Sequence, residues 1–433
     1  NKILPPFQHI PNLPYLNIVF KPENILAALD QLNPTLASGP DLLNAYLLKK
    51  LKYSIAEPLS TIFEVSYCTC KLPDLWLKAL VTPIFKKGSQ DKVENYRPIS
   101  LCCVICKLME SIVNKSLTDF LKTHNILRQQ QFGFQKDKSC SLQLLNCTNS
   151  WIDCLDQKKS VDVVYIDFQK AFDTVVHSKL LHKLEAILPN RFLKGWIRSF
   201  LSGRSQVVTL NGTLSEPIPV SSGVPQGSVL GPTLFLIYIN DLVDIIKHSK
   251  ITLFADDLKI YNTSDQQQLL QSDLDSLSSW ATEWQLSISH SKSNVLYLGK
   301  NNPKHHYFLG LHPLDDIGVS CKDLGVYISN NLGSAIQCKN IVSKASRVSA
   351  LVLRSFVSKD RNLLIRAFKT YVRPLLEYAT VVWSPPLICD INSVENVQRR
   401  FTKRVLARSH FSYDDRLRIL KLDRLELRRI HFD

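Results

Sequence analysis

Two adjacent carboxylates inside an apolar hairpin place the strongest limit on what this chain can fold into. The segment Ile251–Ile260 consists of two short β-prone runs with Asp256-Asp257 at the turn between them. Acidic pairs favour turns for local backbone reasons, and Asp315-Asp316 and Asp414-Asp415 serve as internal controls. Only the first pair has apolar flanks on both sides, which places it at the edge of a core. Because carboxylates there are costly without positive partners, we expect cations at this turn.

A strand-like run earlier in the chain supplies a third carboxylate. Val161–Phe168 is mostly β-branched and apolar, and it delivers Asp167 near its end. One carboxylate at the end of a strand and two at a hairpin turn can clamp a pair of divalent cations. In-line displacement at phosphorus needs such a pair, since one metal activates the attacking oxygen and the other holds the leaving group.

A Gly/Pro turn, Ser221–Pro232, lies between these segments, and its Pro225-Gln226-Gly227 runs into an apolar helix. The order of strand-Asp, Pro-Gln-Gly and Phe-Ala-Asp-Asp resembles motifs A, B and C of reverse transcriptases. The match is strongest to the enzymes of non-LTR retrotransposons, the long interspersed elements of the jockey/chicken-repeat type. The resemblance extends from Ser38 to about Arg429. It implies an α+β fold, a right-hand polymerase with fingers, a ferredoxin-like palm and a helical thumb.

The length of the chain, 433 residues, exceeds one compact domain, so several subdomains are expected. The resemblance implies an N-terminal extension at 1–90, fingers at 91–160, a palm with motifs A to E and some fingers elements at 161–335, and a basic helical thumb and C-terminal region at 336–433. The absence of an initiator Met suggests a piece of a longer polyprotein.

The segment Asn95–Leu101, followed by Lys107, resembles the first fingers motif. Arg97 and Lys107 are candidates to meet the incoming triphosphate, because fixed cations there offset the charge that develops during transfer. Ordinary surface ion pairing is the alternative for both side chains.

The second fingers motif, Gln131–Ser139, departs from the family at one position. Relatives usually carry Arg where this chain has Gln135, and loss of a planar, permanently charged group is not conservative. Lys136 or Lys138 are candidates to compensate. This departure is the best argument for a rival hypothesis, a non-catalytic nucleic-acid-binding remnant of a retroelement.

The resemblance also assigns residues of the nucleotide pocket. Phe172 matches the sugar-selecting position, where a large ring blocks a 2′-hydroxyl, so it implies deoxynucleotide use and disfavours an RNA-synthesising polymerase. Core packing is the commoner role of a phenylalanine. Phe168 is assigned to nucleotide and metal binding beside Asp167, and Gln226 can position the nucleotide through its amide.

Two later segments complete the motif series. Trp284–Ser293 resembles motif D, whose lysine, here Lys292, protonates the departing pyrophosphate; a solvated loop lysine is the alternative. Cys321–Ser329 resembles motif E, a hairpin that supports the 3′ end of the primer. The primer-grip residues implied there are Leu324, Gly325 and Val326.

Helical periodicity indicates where the core lies. Leucines after Ser178, which is predicted as an N-cap, form one buried stripe, and His177 is interpreted as structural rather than as a general base. A capping box at Ser264 is predicted to open a helix in which Trp280 and Trp284 are core residues rather than base-stacking platforms.

The net charge of +15 is concentrated in one part of the chain. From Lys339 onward there are 20 Lys/Arg against 9 Asp/Glu. A basic, helix-patterned region is the electrostatic signature of binding to a phosphate backbone. The alternative is a solvated basic face without a partner.

Eleven cysteines without framework spacing indicate a reducing intracellular setting. Cys103 and Cys106 have no second zinc-spaced pair, so we interpret them as small buried hydrophobic residues. The apolar run Val229–Ile239 is 11 residues long and is broken by Gly231-Pro232. It is therefore far short of the roughly 20 residues that span a bilayer.

Taken with the resemblance, these features predict an RNA-directed DNA polymerase that extends a DNA primer on an RNA template. Two Mg²⁺ ions, with Mn²⁺ as an alternative, would be held by Asp167 and Asp256 with Asp257 beside them. The expected partners are template RNA, primer DNA at a nicked target site and deoxynucleoside triphosphates, without a membrane. An endonuclease domain is expected upstream in the polyprotein, and the expected locations are the nucleus and cytoplasmic ribonucleoprotein.

Overall fold

The computed structural model of the protein describes residues 4–7, 10–406 and 410–432. The N-terminal part is mainly helical, with one β-hairpin between its helices. Its elements are α1 (Pro22–Gln31), α2 (Ala45–Lys50), α3 (Lys52–Thr69), β1 (Lys78–Phe85), β2 (Tyr96–Leu101), α4 (Val104–Thr123) and α5 (Cys140–Asp156).

The middle of the chain alternates strands and helices. Its elements are β3 (Val161–Ile166), α6 (His177–Ile187), α7 (Arg191–Leu201), β4 (Ser205–Leu210), β5 (Thr213–Leu214), β6 (Ile218–Pro219), α8 (Gly231–Ile239), α9 (Leu242–Ile245), β7 (Lys250–Phe254), β8 (Asp257–Thr263), α10 (Gln267–Trp284) and β9 (Asn294–Leu298).

Short strands and then helices form the remainder. They are β10 (Phe308–Leu309), β11 (His312–Pro313), β12 (Asp315–Asp316), β13 (Ser320–Asp323), β14 (Val326–Ser329), α11 (Ala335–Ser355), α12 (Arg361–Ala367), α13 (Arg373–Glu377), α14 (Thr380–Trp383), α15 (Ile388–Val405), α16 (Tyr413–Leu420) and α17 (Leu425–Phe432). A π-helical segment, Phe368–Val372, joins α12 to α13.

One five-stranded sheet, with the order β12-β9-β3-β8-β7, carries the three predicted carboxylates. The central strand β3 is antiparallel to both β8 and β9, and Ile166 pairs with Leu258. The hairpin formed by β7 and β8 confirms the predicted turn, which carries Asp256. The strand β3 ends at Ile166, and its antiparallel neighbour β8 begins at Asp257. The acidic residues next to these two strand termini therefore lie at the same end of the sheet.

The two faces of this sheet pack against different helices. Val164 and Ile166 belong to a core shared with α6, α8 and α10, whereas Val161 and Val163 belong to a second core shared with α5 and the C-terminal helices. Successive side chains of a strand point to opposite faces, so β3 contributes to both cores. Burial on both faces explains why β3 is β-branched and apolar almost throughout.

A second sheet, with the order β2-β1-β4-β5 and β6 paired to β4, lies beside the first. In it, β1 is antiparallel to β2 and parallel to β4. The Ser100 N–H donates to the Gln226 carbonyl oxygen over 2.7 Å, which joins this sheet to the Pro-Gln-Gly turn.

Both predicted helix caps are wrong, although both helices are confirmed. Their predicted apolar stripes are buried or half-buried except at Leu269 of α10, which is exposed. Helix α6 begins at His177 with Val176 at the N-cap, so Ser178 lies inside the helix. A 3₁₀ turn precedes α10, and no side chain caps that helix. In both places tertiary hydrogen bonds set the helix start: the His177 ring bonds to the Gly223 carbonyl oxygen, and the Ser264 N–H donates to the Ser160 carbonyl oxygen.

Among the described residues, no helix is both long enough and apolar enough to cross a membrane. All eleven cysteines are free, and Cys103 and Cys106 are buried. Trp280 and Trp284 are buried core residues, as predicted.

Candidate active site

The three predicted carboxylates lie at one end of the first sheet, where β3 ends and β8 begins. Asp167 directly follows β3, and Asp257 opens the neighbouring strand β8. Asp256 occupies the turn that precedes Asp257. The backbone of Asp167 is fixed on both sides, because its N–H donates to the Ser293 hydroxyl over 3.2 Å and its carbonyl accepts from the Ser289 N–H over 2.7 Å.

The turn that carries Asp256 is held by a side chain from another part of the chain. Ala255 adopts a φ of 56°, a left-handed conformation that is uncommon for a residue with a Cβ. The buried Gln131 side-chain oxygen accepts from the N–H groups of Ala255, over 2.9 Å, and Gly133, over 2.8 Å. Its amide nitrogen donates to the Ala255 carbonyl oxygen over 3.4 Å. A Cβ on Gly133 would lie 2.3 Å from the Ala255 nitrogen, so this approach requires glycine.

Electrostatic repulsion among the three carboxylates raises the pKa of two of them. Burial raises the pKa of Asp256, and repulsion from Asp167 raises it further. Asp257 retains solvent access, and partial burial followed by repulsion from Asp256, Asp323 and Asp167 raises its pKa to about 6. The cluster therefore holds excess negative charge, which a bound cation would neutralise.

Positive charge reaches this cluster from the second sheet. Arg97 on β2 and Lys86 just beyond β1 both lower the pKa of Asp256, against the larger effect of its burial. They are neighbours because the Lys86 N–H donates to the Asn95 carbonyl oxygen at the end of the β1–β2 hairpin. Lys107 instead lies on α4, where its charge acts on Cys102. The charges of Arg97 and Lys86 thus both act on Asp256, and Lys86 is a residue that the motif comparison did not single out.

The predicted sugar-selecting residue lies where three segments meet. The Phe172 ring stacks on Phe235 of α8 with ring centroids 4.4 Å apart, and it meets Phe134 edge-on at 6.1 Å. Its carbonyl oxygen accepts from the Val224 N–H over 2.8 Å. The ring is only half-buried, so it both packs against the core and keeps an open side.

The other two pocket residues are held in different ways. The Gln226 amide donates to the Asp173 carboxylate over 2.7 Å, so an internal hydrogen bond already orients it. Phe168 is buried, with its backbone bridged to Ile288. A phenyl ring offers no donor atom to a metal, so only the backbone groups of Phe168 are suited to the predicted role.

Lys292 approaches the site from the motif D segment. Its Nζ lies 3.8 Å from Asp167 Oδ1, and both side chains keep substantial exposure, 60% for Lys292 and 40% for Asp167. This is a loose, solvated contact, which leaves the ammonium free to move toward a ligand.

The predicted hairpin of motif E is confirmed as β13 and β14 with a two-residue turn at Leu324-Gly325. The Tyr378 hydroxyl donates to the Leu324 carbonyl oxygen over 2.8 Å. A Cβ on Gly325 would lie 3.1 Å from the Tyr378 ring. Val326 is buried in the second core, so the hairpin tip is fixed by the C-terminal helical region.

The loop with the family departure folds back on itself. The Gln135 amide donates to the Gln131 carbonyl oxygen over 2.7 Å, and Lys138 Nζ donates to the Gln129 and Gln131 carbonyl oxygens. Lys138 is therefore engaged with the backbone, whereas Lys136 is exposed. Of the two candidates to compensate for the missing arginine, Lys136 is the one whose side chain is open to solvent.

The carboxylate oxygens suit a hard divalent cation in their chemistry. Within the described ranges, however, no group of three or more His, Cys, Asp or Glu is spaced to hold a metal ion. Mg²⁺ is usually bound through one or two carboxylates together with substrate phosphates, rather than by an all-protein cage. The residues present fit that mode, with Asp167 and Asp256 as the candidate ligands.

A family model described as "Reverse transcriptase (RNA-dependent DNA polymerase)" matches residues 84–313, which is more than half of the chain. The chain belongs to the reverse transcriptase family. Its similar proteins in Drosophila melanogaster include the "Probable RNA-directed DNA polymerase from transposon X-element", 27% identical over 404 residues, and that from transposon BS, 29% identical over 402 residues. The RNA-directed DNA polymerase from mobile element jockey is 26% identical over 405 residues.

These matches cover 89%, 87% and 85% of this chain but only 44%, 44% and 42% of the respective relatives. The chain therefore spans less than half the length of the curated relatives that it matches.

Proposed function

We propose that this chain is the RNA-directed DNA polymerase portion of a non-LTR retrotransposon polyprotein. It would extend a DNA primer on an RNA template by adding deoxynucleotides. The observation that carries the proposal is that Asp167, Asp256 and Asp257 lie at the same end of one sheet. All three belong to the segment that matches the reverse transcriptase family. Copying of the element's own RNA at a nicked chromosomal target, with an endonuclease elsewhere in the polyprotein, belongs to the same proposal.

In this proposal the two sheets form opposite walls of the nucleotide site. Residues 161–335 act as a palm around the carboxylates, residues 91–160 act as fingers, and β1 and β4 extend the fingers sheet. The segment 1–90 is an N-terminal extension, and the helices from 336 onward form a thumb. The effect of the Arg97 and Lys86 charges on the pKa of Asp256 supports this arrangement, because it brings cations from the β1–β2 hairpin within electrostatic range of a carboxylate.

Asp167 and Asp256 would hold two Mg²⁺ ions, with Mn²⁺ as an alternative, and Asp257 lies beside them. When bound, the ions would activate the primer 3′-hydroxyl and neutralise charge on the leaving pyrophosphate. Arg97 and Lys86 offset triphosphate charge, and Lys107 is a more remote candidate for the same task. Lys292 gives a proton to the departing pyrophosphate.

The remaining residues select and position substrates. The half-buried Phe172 ring excludes a 2′-hydroxyl, and Gln226 orients the nucleotide through its fixed amide. The turn Leu324-Gly325, followed by Val326, supports the primer end, and its fixation by Tyr378 favours this role. Exposed basic residues of the C-terminal helices bind the duplex backbone without reading its sequence.

A primer-extension assay with a DNA primer on an RNA template, deoxynucleotides and Mg²⁺ tests the proposal. The unmodified chain should extend the primer, and Asp256→Asn should reduce extension by at least about 10³-fold while leaving template binding intact, because it removes a charge that only the reaction requires. Asp315→Asn is the matched control, since Asp315 is an exposed carboxylate on the outer strand β12 of the same sheet, separated from β3 by β9.

A second candidate function is nucleic-acid binding without catalysis, and Gln135 in place of the family arginine favours it. The same assay separates the two. Binding of primer–template by the unmodified chain without extension in either Mg²⁺ or Mn²⁺ would support the remnant and overturn the polymerase.

A further inference from the structure

Close to the three carboxylates, a buried ion pair links two segments that are far apart along the chain. Lys259 Nζ lies 2.6 Å from Asp323 Oδ2, and the two side chains are only 2% and 4% exposed. Lys259 is two residues beyond Asp257 on β8, so the two share a face of the strand. Asp323 ends β13 and directly precedes the Leu324-Gly325 turn. The pair therefore connects β8, the strand that begins with Asp257, to the turn of the β13–β14 hairpin.

Backbone pairing does not make this connection in the part of the chain that the structure describes. The β13–β14 hairpin forms a separate two-stranded sheet from the sheet that carries Asp257. Its backbone links to the larger sheet lie at the far end, where the Gly299 N–H donates to the Asn330 carbonyl oxygen. At the turn end, the Lys259–Asp323 ion pair ties the hairpin to β8.

The geometry of a short buried ion pair is well defined. Each partner would be costly to leave alone in a dry interior, so separation of the two groups is strongly disfavoured. Tyr378 also fixes this turn, because its hydroxyl donates to the Leu324 carbonyl oxygen. The tip is thus held between the aspartate strand and the C-terminal helical region.

We propose that Lys259 and Asp323 are positioning residues that set the distance between the hairpin tip and the aspartates, and hence the placement of the primer 3′ end. This inference rests on the proposed polymerase function. Attack by a 3′-hydroxyl is sensitive to placement, since a misplacement of about 1 Å can lower a rate about 100-fold. The pair contacts neither substrate in this proposal and acts through the hairpin.

The test replaces both charges with apolar groups in the full chain, as Lys259→Met/Asp323→Leu. Such a replacement of a buried pair usually preserves or raises stability, so the melting temperature should not fall. The rate constant for first-nucleotide addition, measured on a DNA primer annealed to RNA, should fall about 100-fold. The dissociation constant for the primer–template should stay within about 2-fold, because exposed basic helices carry backbone binding.

The exposed pair Lys304–Asp316 provides a matched control, with 2.9 Å between Nζ and Oδ2 and exposures of 59% and 36%. Lys304→Met/Asp316→Leu should leave both the addition rate and the binding unchanged. A double variant of the buried pair that adds nucleotides within about 3-fold of the unmodified rate would overturn the inference. An unmodified chain without any extension activity would overturn the proposed function instead.

If the apolar double variant melts far below the unmodified chain, Asp323→Glu decides the question. This variant keeps the ion pair and lengthens the acidic side chain by one methylene group. It should therefore shift the hairpin turn without leaving a buried charge unpaired. A lower rate of first addition at an unchanged melting temperature supports the positioning role. An unchanged rate overturns it.

Discussion

At the scale of single residues, one buried amide supports the turn that presents Asp256. Gln131 contacts both the N–H and the carbonyl oxygen of Ala255, and the two residues are 124 positions apart. A left-handed φ at a residue with a Cβ is strained and persists only where the surroundings impose it. Gln131 supplies that constraint, so the direction in which Asp256 points depends on a residue of the loop between α4 and α5.

We predict that Gln131→Ala lowers nucleotide addition by about 10- to 100-fold and lowers stability by about 1–3 kcal/mol, because it leaves buried N–H groups of Ala255 and Gly133 without an acceptor. Steady-state primer extension and urea unfolding measure the two effects. Adding Ala255→Gly to the variant should recover part of both losses, since glycine accepts a positive φ without strain.

The exposed neighbour Gln130 provides the control for this prediction. Gln130→Ala should match the unmodified chain in both measurements. Equal losses in the two alanine variants would show that the loop matters in general and that the Gln131 amide does not.

Sequence patterns located the carboxylates but not the groups around them. Asp167, Asp256 and Asp257 are recognisable because each interrupts or ends an apolar run, which is a local signal. Lys86, just beyond β1, and Asp323, at the end of β13, act on these carboxylates from other parts of the chain, and nothing local distinguishes them from surface charges. Such groups are found only when the fold brings distant segments together.

At the scale of elements, a buried lysine joins three helices on one face of the carboxylate sheet. Lys183 of α6 donates to the Tyr238 carbonyl oxygen of α8 and pairs with Asp241. Its Nζ also lies 3.5 Å from the centroid of the Trp284 ring at the end of α10. Burial lowers the pKa of Lys183 to about 8, although Asp241 acts in the opposite direction.

This depressed pKa predicts a pH-dependent stability. Between about pH 8 and 10 the unfolded chain binds a proton at Lys183 that the folded chain does not hold, so the free energy of unfolding rises with pH by about 2 kcal/mol from this group. Below about pH 8 the contribution is constant. Urea unfolding at pH 8 and pH 10, compared between the unmodified chain and Lys183→Met, isolates the effect from other alkaline titrations.

Lys194→Met is the reference for this measurement, because Lys194 pairs with Glu185 at a more accessible position. It should retain the pH response of the unmodified chain. A Lys183→Met variant whose stability changes with pH as much as that of the unmodified chain would contradict the prediction.

The sequence predicted whether a segment forms a helix or a hairpin more reliably than it predicted the residue at which a helix begins. The leucine stripes of α6 and α10 and the hairpins at Asp256 and Gly325 are determined by local periodicity and turn chemistry, and the structure has them apart from the exposed Leu269. The predicted caps at Ser178 and Ser264 are wrong because hydrogen bonds to other segments set where those helices begin. Side-chain capping is one of several ways to satisfy a helix end, and a single sequence does not show which applies.

At the scale of the whole molecule, part of the positive charge lies on an exposed surface of the C-terminal helix α15. On α15 the residues Arg400, Lys403 and Arg404 are exposed, and Arg400 lies three and four positions before the other two, so it shares a helical face with each of them. In the described part of the chain none of them forms an ion pair. Because these side chains are exposed, their cationic face is accessible to phosphates.

We predict that Arg400→Gln/Lys403→Gln/Arg404→Gln weakens primer–template binding and flattens its salt dependence. Each lost phosphate contact reduces the slope of log K against log salt by about 0.9, so a decrease of about 2 to 3 is expected. Fluorescence anisotropy between 50 and 300 mM salt, roughly the range over which such effects are large, measures the slope.

Lys158→Gln/Lys159→Gln, at an exposed turn between α5 and β3, is the control and should keep the unmodified slope. A triple variant with the same slope as this control would indicate that the nucleic acid is bound elsewhere on the molecule.

The parallel pairing of β1 with β4 has a consequence for biosynthesis. Lys78 of β1 pairs with Ser205 of β4, so one edge of β1 stays open until more than a hundred further residues have left the ribosome. Nascent proteins expose such edges during translation, and an open strand edge can recruit other copies. We expect truncated products that stop before Ser205 to aggregate, whereas chains that include β4 close the edge for themselves.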